Sequence, residues 1–303
     1  MTVSTVWQDW SCCVRVTLAG GDGSDLVAAS GIVRQLMDEV AHAASRFRDD
    51  SDLTRVNDAA GALVPVGRLT LDLVDVALDA ARLTGGAVDP TVGAHLLGAG
   101  YDDDIDHVRS HTHRVGAPRP SADWQGVTVD HELRRVGVRP GLLLDLGATA
   151  KAWTVDEAAR RVHARLGHAV LVGIGGDLAV AGATTRPWHV DVSEVMGGPR
   201  ERVDLTHGGL ATSSVLARTW ASDRGVQHHV IDPATGSPAR GSVRTATVWA
   251  PTAVAANTWS TAAIVWGEAA AGRLRDAGID ARLVDTDGRV TTLGTWPSEG
   301  IAA

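Results

Sequence analysis

The apolar residues of this chain switch between two periods, and the order of the switching limits the fold more than any other feature. Helical spacing appears at residues 27–45, where Ile32, Val33, Leu36, Met37 and Val40 recur. It returns at Thr70–Leu83, Thr154–Leu166, Ala253–Trp266 and Glu268–Ala277. Gly85, Gly167, Gly267 and Gly278 stand as stops, and Thr70 as a candidate N-cap. Between these lie strand-length runs at Val14–Leu18, Gly126–Asp130, Ala169–Ile174, Trp188–Val192, Arg244–Trp249 and Ala281–Val284, and Asp287-Gly288 marks a C-terminal hairpin turn. Strand and helix do not alternate steadily, so the pattern predicts an α+β fold, not a doubly wound sheet.

The 303 residues carry a formal charge of -8, which disfavours nonspecific nucleic-acid binding. No run approaches the roughly 18 apolar residues of a membrane helix, so no membrane insertion is expected. Met1–Gly20 lacks a basic start followed by an apolar core, and no signal peptide or lipoprotein signal is read there. The two cysteines, Cys12 and Cys13, are neighbours without disulfide or metal-site spacing, and the expected compartment is the cytoplasm. The expectation is one globular domain over residues 1–303, with a surface excursion at 98–126 and a loose tail at 297–303.

Usage is skewed: one lysine (Lys151), one phenylalanine (Phe47), one tyrosine (Tyr101) and two asparagines (Asn57, Asn257). Residues that survive such bias are candidates for a specific task, and most fall in five polar or glycine-rich segments. Ser45–Asn57 reads as a polar loop whose lone aromatic can stack on a planar ligand, or equally pack on the core. Thr84–Gly93 pairs Gly85 and Gly86, which admit close backbone approach, with Asp89 and Thr91, which offer hydrogen bonds; an ordinary turn is the alternative. Leu144–Lys151 ends a strand in a Gly turn and sets Lys151 at a helix start, where phosphate groups are favoured, but the Walker ending is missing. Val172–Leu178 is Gly-rich but fails the dinucleotide fingerprint, since Leu178 stands where the last Gly belongs. His228–Pro238 is followed by Ala256–Thr261, in which Asn257 and Thr261 are four apart on one helix face and can offer two oxygens to a hard cation. His229 can titrate near neutrality and act as base or donor.

In order and spacing these segments resemble the ApbE family, the FAD:protein FMN transferases. Ser45–Asn57, Thr84–Leu96, Asp145–Asp156, Gly173–Leu178, Ala211–Ser214, His228–Pro238 and Ala256–Ala262 match the family's patterns in sequence order. The resemblance runs from about Trp10 to Gly267. It implies an ApbE-like, T-fold-related α+β domain with mixed or antiparallel sheets flanked by helices. It also implies binding of FAD as substrate, use of Mg²⁺, and transfer of FMN to a Ser or Thr hydroxyl of a target flavoprotein with release of AMP.

Carried over by position, Phe47 would stack on a flavin-nucleotide ring. Trp10 stands where many relatives have Met in a Met-Gly-Thr segment, keeping an apolar wall while losing the tight Gly. Ala87, Val88, Asp89 and Thr91 would line the nucleotide, and Asp145 and Lys151 would hold ribityl or phosphate oxygens. His229, with Val230, would sit near the pyrophosphate, and His229 is the first candidate for the base. The metal would take a backbone oxygen near Ala148 and side-chain oxygens of Asn257 and Thr261. Many relatives have Asp where Asn257 stands, so one charge is lost there, and weaker metal binding before FAD arrives is expected. The same resemblance admits hydrolysis of FAD to FMN and AMP, or FAD binding without chemistry.

Overall fold

A computed structural model describes residues 2–116, 122–194 and 198–296. The tail expected at 297–303 lies outside the described residues, as does part of the 98–126 excursion. The fold is α+β, and the chain divides into two compact units. Unit 1 comprises residues 1–36, 151–217 and 241–303, and unit 2 comprises 37–150 and 218–240.

Unit 1 is built on an eight-stranded sheet. Its spatial order is Thr2–Asp9, Cys12–Ala19, Ala169–Ile174, Asp177–Ala181, Gly209–Ser214, Val243–Ala250, Asp280–Asp285 and Val290–Leu293. Every pairing in it is antiparallel. Val14, Val16 and Leu18 point to one face and are fully buried, as the sequence alternation requires. The Ala253–Trp266 helix packs on the Gly209–Ser214 and Val243–Ala250 strands. Its small, largely buried residues, Ala256, Ser260, Ala262 and Ala263 among them, permit that approach. Thr252 caps it by accepting from the Ala255 N–H at 3.1 Å.

The first strand and its hairpin escape the sequence reading. The turn is Trp10-Ser11, both in the left-handed region at φ 49° and 53°, in place of the usual Asn-Gly. The Gly175-Gly176 pair is a second tight hairpin turn. Gly175 has φ 61°, and a Cβ on Gly176 would lie 2.6 Å from the Thr212 carbonyl oxygen. That turn explains the glycine run that imitates a dinucleotide motif.

Unit 2 carries a three-stranded sheet of Val64–Pro65, Arg135–Val138 and Val127–Asp130, two short hairpins and the Arg68–Thr84 helix. Gly85 closes that helix at φ 62°, as expected. Thr70 is not its cap: Gly67 is, and the Thr70 hydroxyl donates instead to Asp52 at 2.7 Å. Asp52–Asp58, read as loop, is a helix capped by Ser51, whose Oγ accepts from the Thr54 N–H at 3.0 Å. Within the supposed surface excursion, Ile105 and Val108 are buried in a cluster with Tyr101, Trp220 and Ile231. The acidic residues beside them remain exposed or partly so.

Candidate functional site

In unit 2, segments that are distant in sequence converge on Leu143–Asp145. Asn57 reads the Leu144 backbone from both sides: its Nδ2 donates to the Leu144 carbonyl at 3.0 Å and its Oδ1 accepts from the Leu144 N–H at 2.7 Å. The Thr84–Gly93 segment closes on the other flank. The Asp145 N–H donates to the Pro90 carbonyl at 2.8 Å, and the Gly93 N–H to the Leu143 carbonyl at 3.0 Å. A Cβ on Gly93 would lie 2.7 Å from that carbonyl oxygen, so the position has no room for a side chain. Three of the sequence segments are thus one structure, with Asp145 at its centre.

Asp145 is held ready. Its Oδ1 accepts from the Gly147 N–H at 2.8 Å and its Oδ2 from Arg46 Nε at 2.7 Å. The Arg46 guanidinium lies 4.1 Å from the Phe47 ring centroid and 4.7 Å from that of Tyr101. Tyr101 in turn stacks on Trp220 at 5.2 Å. Burial pushes the Tyr101 phenol upward, so it stays neutral beside two arginines. Phe47 itself is 43% exposed.

The remaining expected nucleotide contacts of unit 2 are committed to varying degrees. The buried Asp89 carboxylate accepts from the Thr91 N–H and hydroxyl at 2.8 and 2.7 Å and from the Trp124 N–H at 3.1 Å. Burial raises its pKa. Thr91 also accepts from the Asp123 N–H at 2.8 Å. These two side chains therefore fix the turn that presents half-buried Ala87. Val88 is buried, and its N–H donates to the Thr84 hydroxyl at 3.0 Å.

Of the paired histidines, His228 is structural. Its Nε2 donates to the Ala239 carbonyl at 2.9 Å and its Nδ1 accepts from the Val230 N–H at 3.3 Å. Burial lowers its pKa, which keeps the ring neutral. Val230 is buried with its carbonyl taken by the Ala239 N–H. His229 is half-buried just past the Gly225–His228 strand, and Ala148 lies in the turn after Asp145.

Unit 1 holds the oxygen cluster. Asn257 is buried, and its Nδ2 donates to Asp177 Oδ1 at 2.8 Å. A carboxylate accepts only, so the amide nitrogen must face Asp177 and Oδ1 must face the other way. That oxygen accepts from the Thr261 hydroxyl at 3.3 Å. Ser213 Oγ lies 2.9 Å from both Ser260 Oγ and Thr261 Oγ1. The sequence reading gave Asp177 no role. It opens the strand after the Gly175-Gly176 turn, 2% exposed, and supplies a carboxylate where Asn257 lacks one.

A hard divalent cation suits this donor set of carboxylate, amide and hydroxyl oxygens. Among the described residues no group of three or more His, Cys, Asp or Glu is arranged for a metal ion. Charge would then have to come from Asp177 and from a ligand's phosphates. Nearby, Asp156 grips the first turn of the Ala253–Trp266 helix, accepting from the Ala253 and Val254 N–H groups at 2.9 and 3.0 Å. Burial, helped by the Asp177 charge, pushes its pKa up to about 6. Lys151 stands half-buried in the first turn of the Ala150–Leu166 helix, and Trp10 half-buried in its hairpin turn. Ala148 belongs to unit 2, whereas Asn257 and Thr261 belong to unit 1.

The sequence profile of the ApbE family matches residues 10–282, and the chain belongs to that family. It is 28% identical to a FAD:protein FMN transferase of Klebsiella pneumoniae, over 98% of this chain and 85% of that one. It is 30% identical to one from Treponema pallidum, over 92% and 83%. Among solved structures, the ApbE protein of Thermotoga maritima aligns with a TM-score of 0.86 at 25% identity, over 97% and 98% of the two chains. The Pseudomonas stutzeri flavinyl transferase ApbE aligns at 0.80 and 24%, over 97% and 95%, which supports the fold.

Proposed function

We propose that this chain is a FAD:protein FMN transferase acting on a Ser or Thr hydroxyl of a target flavoprotein. The observation that carries the reading is the convergence on Leu143–Asp145: three family segments, joined by Asn57, Pro90 and Gly93, hold Asp145 and the half-exposed Phe47 ring in one cradle. Phe47 stacks on a ring of the nucleotide. Asp145 holds ribityl hydroxyls, and the Ala87–Val88 backbone lines the chain, with Asp89 and Thr91 shaping the turn. Trp10 provides an apolar wall and Lys151 a positive charge for phosphate.

The reaction joins the acceptor oxygen to the FMN phosphorus and breaks the bridging P–O bond, with AMP leaving. His229 takes the hydroxyl proton. Asn257 and Thr261, with Asp177 behind them, would hold Mg²⁺. That ion would neutralise charge on the phosphates during in-line displacement. No described helix is long and apolar enough to cross a membrane. The two free cysteines fit a reducing compartment, and we place the reaction in the cytoplasm.

The test mixes the protein with FAD, Mg²⁺ and a flavinylation-competent acceptor domain, then examines a denaturing gel for flavin fluorescence while AMP is quantified. A fluorescent acceptor band with equimolar AMP is expected. Free FMN and AMP without a band would make the chain a hydrolase. Unchanged FAD would leave only binding.

A further inference from the structure

We propose that Arg46 is the positioning residue of the nucleotide cradle: it fixes the Phe47 ring and the Asp145 carboxylate as one platform for a flavin nucleotide. The inference rests on the FAD reading above and extends it to a residue that neither the sequence segments nor the family likeness assigns.

The geometry is specific. Arg46 and Asp145 are 99 residues apart, yet Nε meets Oδ2 at 2.7 Å with both side chains mostly buried. The guanidinium plane carries the Phe47 ring at 4.1 Å and the Tyr101 ring at 4.7 Å. One planar cation therefore touches the two groups expected to bind opposite kinds of ligand surface, a flat ring and a polyol or phosphate. Phe47 lies in a polar loop and is 43% exposed, and besides Arg46 its ring meets the edge of Tyr101 at 5.7 Å. Stacking on a guanidinium that is itself anchored by a carboxylate and backed by Tyr101 limits the rotamers of that ring. Binding to a fixed ring avoids the entropy cost of ordering it on contact.

A second observation points the same way. Arg46 Nη2 is buried and has no hydrogen-bond acceptor. A charged donor left so is costly in a stable core, and the cost is removed when an acceptor arrives. The chemistry of the platform selects that acceptor: an oxygen of the ligand lying between the ring that stacks on Phe47 and the hydroxyls that meet Asp145. Lysine cannot replace this arginine. It keeps the charge but loses the plane that stacks and the fork that binds Asp145 and the ligand at once.

The test is a thermodynamic cycle with FAD as the probe. FAD affinity is measured by equilibrium dialysis, and the visible difference spectrum of bound FAD is recorded, for wild type, R46K, F47L and the double variant. Circular dichroism checks folding. R46K is expected to bind about tenfold more weakly and to lose the spectral perturbation, as F47L does. The double variant should fall well short of the product of the two losses, because the part of the Arg46 effect that runs through the Phe47 ring is already lost in F47L. Should R46K not fold, D145N and F47L are combined instead, with the same sub-multiplicative loss expected. Binding by R46K within twofold of wild type, or multiplicative losses in the cycle, would overturn the proposal while leaving the FAD reading intact. A wild-type chain that does not bind FAD removes both.

Discussion

The two asparagines of this chain do opposite work. Asn57, in unit 2, spends both ends of its amide on the backbone of Leu144. Asn257, in unit 1, spends its amide on side chains, the carboxylate of Asp177 and the hydroxyl of Thr261. The first clamps main chain and needs no other ion. The second balances a buried charge, and its cluster is one substitution away from needing a cation. The Asn57 clamp of unit 2 thus works through the backbone, beside the Arg46–Asp145 ion pair of the same cradle, and the Asn257 cluster of unit 1 through side chains.

The largest expected effect sharpens that contrast. N257D would set a second carboxylate beside Asp177 at the distance of a hydrogen bond. Repulsion on the order of 4 kcal/mol is expected at this separation under an intermediate dielectric, lowering the melting temperature by roughly 10 °C. Millimolar Mg²⁺ should restore most of the loss, while the wild type should melt much the same with or without it. Thermal unfolding with EDTA and with Mg²⁺ checks this, and equal melting of both variants in EDTA would dissolve the distinction between the units.

Asp156, beside the Asn257 cluster, grips backbone instead of side chains, and it brings a pH dependence with it. Burial pushes its carboxyl up to about 6 in the fold, from an ordinary carboxylate value of 3.8. A raised acid pKa means that the fold binds the proton more tightly than the unfolded chain does. The group therefore lends about 3 kcal/mol below about pH 4, and that contribution is lost as pH rises through about 6. Urea unfolding of wild type and D156N between pH 4 and 7 isolates it: the stability difference should shift in favour of D156N as pH rises. A difference that is flat with pH would show that Asp156 is not strained by burial.

N57A tests the other side of the contrast. It strips two hydrogen bonds from Leu144 and leaves a main-chain N–H and C=O of a buried residue without those partners. A loss of about 2–3 kcal/mol is expected, with weaker FAD binding and no rescue by Mg²⁺. Rescue by the ion would mean that the Asn57 clamp too answers to a cation.

How much of this was legible follows the same division. The periodic segments located most helices, and the motif segments located the cradle, because both are local patterns. The partners were not legible. Arg46 stands beside Phe47 in sequence, but the Asp145 that gives it meaning is 99 residues away. Asp177 follows a glycine turn, and its Asn257 is 80 residues away. Thr70 looked like a cap because nothing local showed that Asp52 would claim its hydroxyl. The signal that could have found Arg46 and Asp177 was their company: each lies inside a segment that carries other singular residues. In the same segments polar groups also serve the fold, since Asp89 and Thr91 hold each other and the Trp124 and Asp123 backbone.

The smallest expected effect concerns the hairpin that the sequence hid. Trp10 and Ser11 both occupy left-handed backbone, a conformation that costs an L-residue about 1–2 kcal/mol. Ser11 is exposed, and glycine adopts its positive φ without the Cβ penalty. Part of the relief is offset by glycine's greater freedom in the unfolded chain, leaving S11G more stable than wild type by about 0.5–1 kcal/mol in urea unfolding. FAD affinity should stay within about twofold, because glycine keeps the same φ and leaves the Trp10 wall where it is. A stabilised S11G that binds FAD poorly would instead mean that the strained turn serves the ligand, and that unit 1 also prepares part of its site through the backbone.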